Sequence, residues 1–218
     1  MTTSGAGRTS TSRIFHAVTA FVVLAGIVIQ LLVTANGTEG FFPDNPDRVF
    51  NVFAYFTIQS NLLLGGTTLL LALTPDRDSL LFRTLRLNGL LCIAVTGIVY
   101  HIALAGLDEL TGWAAVTNLL LHTVTPILGV LGWLVFGPRG RTDRRVVAWS
   151  IAFPLAWLVF TLIRGAAVGF WPYPFVDADD LGYAKVLLNC LLVALLFLAL
   201  AFGAMLLDRR LNRTAVER

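Results

Sequence analysis

Two groups of polar residues with helical spacing stand inside otherwise apolar segments. Thr57, Ser60 and Asn61 are three and four residues apart, so they share one face of a helix. Asn118 and His122 are four residues apart and share a face of another helix. A hydroxyl beside an imidazole is the minimum for attack on an ester carbonyl, because the imidazole removes the hydroxyl proton. The spacing therefore predicts a hydroxyl–imidazole site, with Thr57 or Ser60 as the nucleophile.

Such a site also needs donors for the oxyanion, and the same helices supply amides. Asn61 and Asn118 are the candidate oxyanion donors, and His101 is an alternative base to His122. Neither segment carries an acid to orient the imidazole, so no complete triad is predicted. Two histidines without a cluster of Cys, Asp or Glu make a poor zinc site, and no phosphate-binding or dinucleotide motif is present. We therefore expect no metal and no cofactor.

Three further polar residues fall in apolar segments closer to the C-terminus. Arg164 and Asn189 are candidate substrate-binding residues, and Arg164 with Lys185 has the charge to hold a substrate carboxylate. Each candidate residue also has an alternative, purely structural explanation. Ser, Thr and Asn often join membrane helices by hydrogen bonds, Arg164 is near enough to a helix end to snorkel, and His101 can bond a backbone carbonyl.

The composition identifies the kind of element that positions these residues. Of the 218 residues, 56% are hydrophobic and only 13% are charged, and the mean hydropathy is +0.77. A soluble domain of this length carries about 25% charged residues and has too little interior for so much apolar surface. The chain is therefore predicted to be a multi-pass integral membrane protein, and soluble, disordered and disulfide-rich secreted classes are excluded.

Six apolar runs are each long enough to cross about 30 Å of hydrocarbon as a helix. They predict an all-α membrane protein, a six-transmembrane-helix bundle over residues 14–207. Counted at 1.5 Å per residue from the helix ends, the polar groups lie in the outer half of the bilayer. Pro126 and Pro154 are expected to kink their helices. The runs are Ile14–Thr34, Phe50–Thr74, Arg86–Gly106, Trp113–Phe136, Val146–Val168 and Ala184–Leu207.

The basic residues predict the orientation of the bundle. Thirteen of the sixteen lie in the two tails and in the second and fourth loops, which places both the N and C termini in the cytoplasm. Residues 1–13 are predicted to be a disordered tail, and 208–218 a basic cytoplasmic tail. The basic residues are distributed as the positive-inside rule requires and form no single patch, so no nucleic-acid partner is expected. Fifteen of the sixteen are Arg, a composition that favours a bacterial cell membrane.

Three short motifs resemble a known family of membrane hydrolases. Phe56–Ile58 is similar to its Phe-Leu-Thr-Phe segment, and Asn118–Thr123, followed by Pro126, to its Asn-His-Gly-x-His-Thr segment. Trp171–Phe175 is similar to its Trp-Val-Tyr-Pro-Phe segment. The motifs occur in the same order at comparable spacing. The chain therefore resembles the androgen-induced and androgen-dependent TFPI-regulating family of integral membrane threonine hydrolases.

The resemblance implies a six-helix enzyme that hydrolyses fatty acid esters of hydroxy fatty acids. By position it makes Thr57 the nucleophile and His122 its partner. The sequence departs from the family at Leu119, where the motif has the first of its two His residues. The leading hypothesis is thus an intramembrane hydrolase of lipid esters. The alternatives are a small transporter or channel, which also needs intramembrane polar groups, and a non-catalytic membrane scaffold.

The loop between the last two runs is rich in aromatic residues and proline. Trp171 and Tyr173 are expected to be anchors at the membrane interface, where amphipathic rings concentrate.

Overall fold

Every regular element that the structure describes is helical. The computed structural model describes residues 3–37, 41–42 and 44–216, with side chains for 10–37, 41–42 and 44–213. Six helices in these residues are long and apolar enough to cross a membrane, which confirms the all-α six-helix prediction. We number them span 1 to span 6. They are Ser10–Asn36, Phe56–Leu73, Leu80–Leu104, Gly112–Phe136, Arg144–Val168 and Tyr183–Arg213.

Three of the spans are interrupted, and short helices occupy two of the connections. Span 3 ends in a π-helical turn, span 4 contains one, and span 5 is broken in two. The helices are Thr3–Asn36, Asn45–Asn51, Phe56–Leu73, Leu80–Val99, Gly112–Leu119, Thr125–Phe136, Arg144–Ser150, Ala152–Val168, Ala178–Leu181 and Tyr183–Val216; the π turns are Tyr100–Leu104 and Leu120–Val124, and the 3-10 turns are Val52–Ala54 and Pro174–Val176.

Spans 1 to 4 form a ring, in which each packs against the next and span 4 returns to span 1. Span 3 also carries the last two spans, since the first part of span 5 and span 6 both pack on it. Glycine permits the close approach of spans 2 and 3: a Cβ on Gly89 would lie 3.1 Å from the backbone nitrogen of Leu64. Span 3 is therefore the central helix of the bundle.

Six spans place both termini at one end of the bundle, which we call the terminal end. The connections between spans 1 and 2, 3 and 4, and 5 and 6 lie at the other, the loop end. Towards the terminal end, spans 3 to 6 pack in a closed apolar cluster that includes Leu91, Trp133, Val146, Phe197 and Met205. Most of the candidate site residues lie towards the loop end, so the apolar cluster forms the support beneath them.

Both prolines lie close to an interruption of their helices. Span 5 breaks at Ile151, three residues before Pro154, and Pro126 is the second residue after the π turn of span 4. Proline lacks the N–H that would bond the carbonyl four residues earlier, so the helix must bend or change its hydrogen-bond pattern there.

Both end segments differ from the sequence-based expectation. The first helix begins at Thr3, within the predicted disordered tail of 1–13, and the last helix runs to Val216, through the predicted tail of 208–218. Extending an existing helix adds one hydrogen bond for each residue fixed, which favours such continuation. The first two and last two residues of these predicted tails lie outside the described residues.

Asp208 joins the end of span 6 to the connection between spans 4 and 5. Its Oδ1 accepts from the Gly140 N–H at 3.1 Å, and its Oδ2 accepts from the Thr142 N–H at 2.9 Å. The side chain is buried, at 1% exposure, although it belongs to the segment predicted to be a basic tail. A buried carboxylate with two backbone donors holds the terminal end of the bundle together.

Asp208→Ala is expected to lower the free energy of unfolding by about 2–4 kcal/mol, since it removes a buried carboxylate and leaves the buried N–H of Thr142 and the N–H of Gly140 without their acceptor. Thermal unfolding of the purified protein in detergent measures the effect. The matched control is Arg209→Ala, which removes an exposed charge from the next position. Equal melting temperatures for the two variants would contradict the structural role of Asp208.

Candidate functional site

Thr57 lies in the first turn of span 2, closer to the loop end than the sequence indicates. The predicted run starts at Phe50, but the chain passes through a short helix and a 3-10 turn, and Tyr55 is extended, with φ −72° and ψ 133°. Span 2 then begins at Phe56. The first N–H groups of a helix have no partner within it, so the N–H of Thr57 is free to bond elsewhere.

The hydroxyl of Thr57 faces the imidazole of His122. Thr57 Oγ1 and His122 Nε2 are 3.2 Å apart, although 65 residues separate them in the chain. The other ring nitrogen, Nδ1, donates to the carbonyl of Asn118 at 3.2 Å, because a carbonyl only accepts. In the neutral imidazole this leaves the lone pair on Nε2, which accepts the proton of Thr57. The site therefore has the tautomer that a general base needs.

The irregular backbone of span 4 aims His122 at this position. His122 is at the centre of the π turn Leu120–Val124, ahead of Pro126. A π turn rotates the side chains that follow it, and such turns are frequent at functional sites. The ring is also stacked on Tyr100, with centroids 4.3 Å apart and an interplanar angle of 25°. Backbone and stacking together fix the imidazole plane.

Tyr173 completes the cluster, and its prediction as an interface anchor is wrong. Its hydroxyl accepts from the Thr57 N–H at 3.1 Å and lies 3.1 Å from Thr57 Oγ1. Since the Thr57 proton is directed to His122, Tyr173 is the donor to Thr57 Oγ1. Burial raises the pKa of Tyr173 to about 12, so the phenol keeps its proton at neutral pH. Tyr173 thus orients the hydroxyl of Thr57.

The connection between spans 5 and 6 holds Tyr173 in place. Its ring is stacked on Phe175 at 5.3 Å, and Asn189 of span 6 donates to the Phe175 carbonyl at 2.9 Å. Trp171 donates to Asp179 Oδ2 at 2.9 Å. Asn189 was predicted as a substrate-binding residue, and the structure instead places its amide on the loop that carries Tyr173.

The other polar groups of span 2 are engaged in helix packing. Ser60 is buried and donates to the Phe56 carbonyl at 2.7 Å, so its hydroxyl does not face His122. The amide of Asn61 donates to the carbonyls of Thr57, at 2.9 Å, and Leu121, at 3.2 Å. The predictions of Ser60 as a competing nucleophile and Asn61 as an oxyanion donor are therefore not supported by these contacts.

Asn118 has a role different from the predicted oxyanion donor. Its backbone carbonyl accepts from His122 Nδ1, as described above, while its side-chain amide donates to the Tyr100 hydroxyl at 2.5 Å. His101 bonds Thr123 at 3.1 Å through Nε2 and is exposed on the outer face of spans 3 and 4. His122 is therefore the imidazole at the site, and His101 is not.

Arg164 and Lys185 lie away from the hydroxyl–imidazole pair. The guanidinium of Arg164 is over the ring of Phe170, 4.6 Å from its centroid, and 5.3 Å from that of Phe42. Lys185 is exposed at the start of span 6. Neither residue lines the two cavities that contain Thr57. The predicted carboxylate-binding pair is therefore not assembled at the site.

The residues that sequence reasoning missed are Tyr173 and the N-terminus of span 2. Free N–H groups and the positive end of a helix dipole stabilise negative charge. The signal for Tyr173 is its place in the third family-like motif. Between Phe50 and Phe56 no Gly or Pro marks the helix start, and Asn51 lies five residues before it. Within the described residues, no three His, Cys, Asp or Glu side chains are grouped to hold a metal ion.

Comparison of the chain with protein families, characterised proteins and solved structures found no match. The site is therefore interpreted from its own geometry.

Proposed function

We propose that this multi-pass membrane protein is an intramembrane hydrolase of lipid esters, with Thr57 as nucleophile and His122 as general base. The observation that carries the proposal is the 3.2 Å contact between Thr57 Oγ1 and His122 Nε2, in the tautomer fixed by the carbonyl of Asn118. A bare hydroxyl is a weak nucleophile, and this contact activates it.

The reaction has two steps. His122 takes the proton of Thr57 as the alkoxide attacks the ester carbonyl, and the same proton then passes to the departing alcohol oxygen. In the second step His122 removes a proton from water, which attacks the acyl–Thr57 ester. His122 then returns this proton to Thr57 Oγ1 as the carboxylic acid leaves, which restores both residues. The oxyanion of each step forms beside the N-terminus of span 2, where the positive end of the helix dipole stabilises it.

Membership of the androgen-induced and androgen-dependent TFPI-regulating family is part of this proposal. It is supported by the three motifs, two of which, around Thr57 and His122, supply the reacting pair, while the third supplies Tyr173. By that likeness the substrates are fatty acid esters of hydroxy fatty acids or similar lipid esters. The bacterial cell membrane, with the termini in the cytoplasm, remains the proposed location, which turns the loop end outward.

A transporter is the less favoured function for this bundle. The candidate site residues lie towards the loop end, and spans 3 to 6 pack around an apolar cluster, including Leu91 and Phe197, towards the terminal end. The buried polar residues at the terminal end, among them His16, Thr68 and Asn88, line neither cavity that contains Thr57. A path for ions or polar solutes needs polar groups along its whole length.

Labelling by a fluorophosphonate tests the nucleophile directly. The wild-type protein is expected to form a covalent adduct on Thr57, which mass spectrometry of the tryptic or chymotryptic peptide identifies. Thr57→Ala should remove the adduct, while Ser60→Ala, which deletes a buried hydroxyl one turn away, should retain it. An adduct that survives in Thr57→Ala and disappears in Ser60→Ala would overturn the assignment.

A further inference from the structure

Two cavities meet at the hydroxyl–imidazole pair. One, of about 190 Å³, lies among spans 2, 3, 5 and 6, and we call it the lateral cavity. The other, of about 550 Å³, lies at the loop end, and we call it the loop-end chamber. Thr57, His122 and Tyr173 line both. Thr57 therefore lies on the boundary between two compartments.

The lateral cavity is apolar and opens towards the membrane. Leu155 and Leu158 of span 5 and Ala194 and Phe197 of span 6 form its walls. The first part of span 5 packs against spans 3 and 6, whereas beyond the break at Ile151 the cavity separates span 5 from span 6. Leu155 and Ala194 are exposed on the outer face of the bundle. A hydrocarbon chain in the cavity can thus continue sideways into the bilayer.

The loop-end chamber carries polar side chains from several elements. Gln30, Arg48, Asn51, Asp108 and Asn118 line it, together with aromatic residues of the connections. The rest of the lining is aliphatic and aromatic. Among the described residues Asn51 Oδ1 is buried without a hydrogen-bond partner, and the Asp108 carboxylate is an acceptor, so both can bind a hydroxyl group or water. The walls of the lateral cavity are almost entirely apolar, so a polar group placed there would lose the hydrogen-bond partners that the chamber provides.

We infer that the lateral cavity holds the acyl chain of the ester and that the loop-end chamber holds its polar alcohol part. This inference rests on the proposed hydrolase function. In this orientation the ester carbonyl lies at Thr57, the departing alcohol leaves through the chamber, and the water for the second step arrives from the same side. Among lipid esters, the preferred class is therefore an ester of a long acyl chain with a hydrophilic alcohol, rather than an ester of a hydroxy fatty acid, whose alcohol part is itself a hydrocarbon chain.

A bulky side chain in the lateral cavity should impair hydrolysis of esters with a long acyl chain more than hydrolysis of esters with a short one. Ala194→Trp is expected to lower kcat/KM for a palmitoyl ester by at least about 10-fold, while an acetyl ester of the same alcohol changes less than about twofold. Leu195→Trp, at the neighbouring position that faces away from the cavity, should change neither. Equal losses for both esters in Ala194→Trp, in protein with wild-type thermal stability, would overturn the inference.

The opposite wall provides a second variant in case Ala194→Trp does not fold. Leu158→Trp is expected to reproduce the chain-length effect, and Val159→Trp, which lies outside the cavity, is its control.

Cross-linking separates this inference from the hydrolase proposal, because it needs no catalysis. Thr57→Ala protein is irradiated with a palmitoyl amide that carries a diazirine on its chain. Labels on the 155–158 and 193–197 segments are expected, and Ala194→Trp should remove them. Labels on Gln30 or Asn51 would overturn the inference even if hydrolysis is present. Labels on the expected walls without hydrolysis in wild type would support the cavity assignment and refute the enzyme.

Discussion

Replacing Thr57 or His122 by alanine is expected to lower the rate of ester hydrolysis by at least about 10³-fold each. Thr57→Ala removes the oxygen that forms the acyl intermediate, and His122→Ala removes the acceptor of its proton, 3.2 Å away. The measurement is the kcat of purified protein in lipid nanodiscs with a palmitoyl ester. Because the two side chains act as one unit, the double variant should be no slower than the slower single variant.

Two controls separate chemistry from folding in this experiment. Ser60→Ala removes a buried hydroxyl of the same helix that bonds only the Phe56 carbonyl in its own turn, and it should retain activity. Thr57→Ser keeps a hydroxyl at the reacting position and should retain much of the rate. Hydrolysis at the wild-type rate in Thr57→Ala or His122→Ala would remove the proposed roles.

Tyr173→Phe is expected to lower kcat by about 10- to 100-fold with KM changed less than about twofold. The phenylalanine keeps the ring that is stacked on Phe175. It removes the hydroxyl that bonds both Thr57 Oγ1 and the backbone N–H of Thr57. The Thr57 proton is then less firmly directed towards His122. A merely structural role of Tyr173 predicts unchanged kcat with a lower melting temperature, so both quantities are measured.

The pH dependence gives an independent test of Tyr173. Its neutral form supplies the O–H donor, and burial raises its pKa to about 12. The donor is therefore present below that pH and is lost only as the pH rises through it. The ratio of wild-type to Tyr173→Phe kcat should stay constant between about pH 6 and 10, where an ordinary Tyr begins to ionise. Tyr55→Phe, a neighbouring ring at 5.7 Å, is the matched control. If the ratio of the two kcat values already decreases with rising pH before pH 10 is reached, a buried, protonated Tyr173 is contradicted.

The sequence by itself determined the six spans and brought attention to Thr57 and His122. Hydrophobicity over about 20 residues is a local property, and lipid leaves helices as the only spanning structure for such runs. A polar residue in such a run is conspicuous because it costs free energy when unpaired. The kinks at Pro126 and Pro154 were also predictable, since the missing N–H belongs to the residue itself.

Only the tertiary structure decided which polar groups meet. Nothing in the run from Phe50 shows that the helix begins at Phe56, because a start in a continuous apolar segment is set by the packing of neighbouring elements. That start exposes the Thr57 N–H, and a loop 116 residues further along the chain brings Tyr173 to it. Ser60 and Asn61 share the helical face of Thr57 but bond the backbone, because long-range contacts determine whether a polar side chain faces a partner or its own helix.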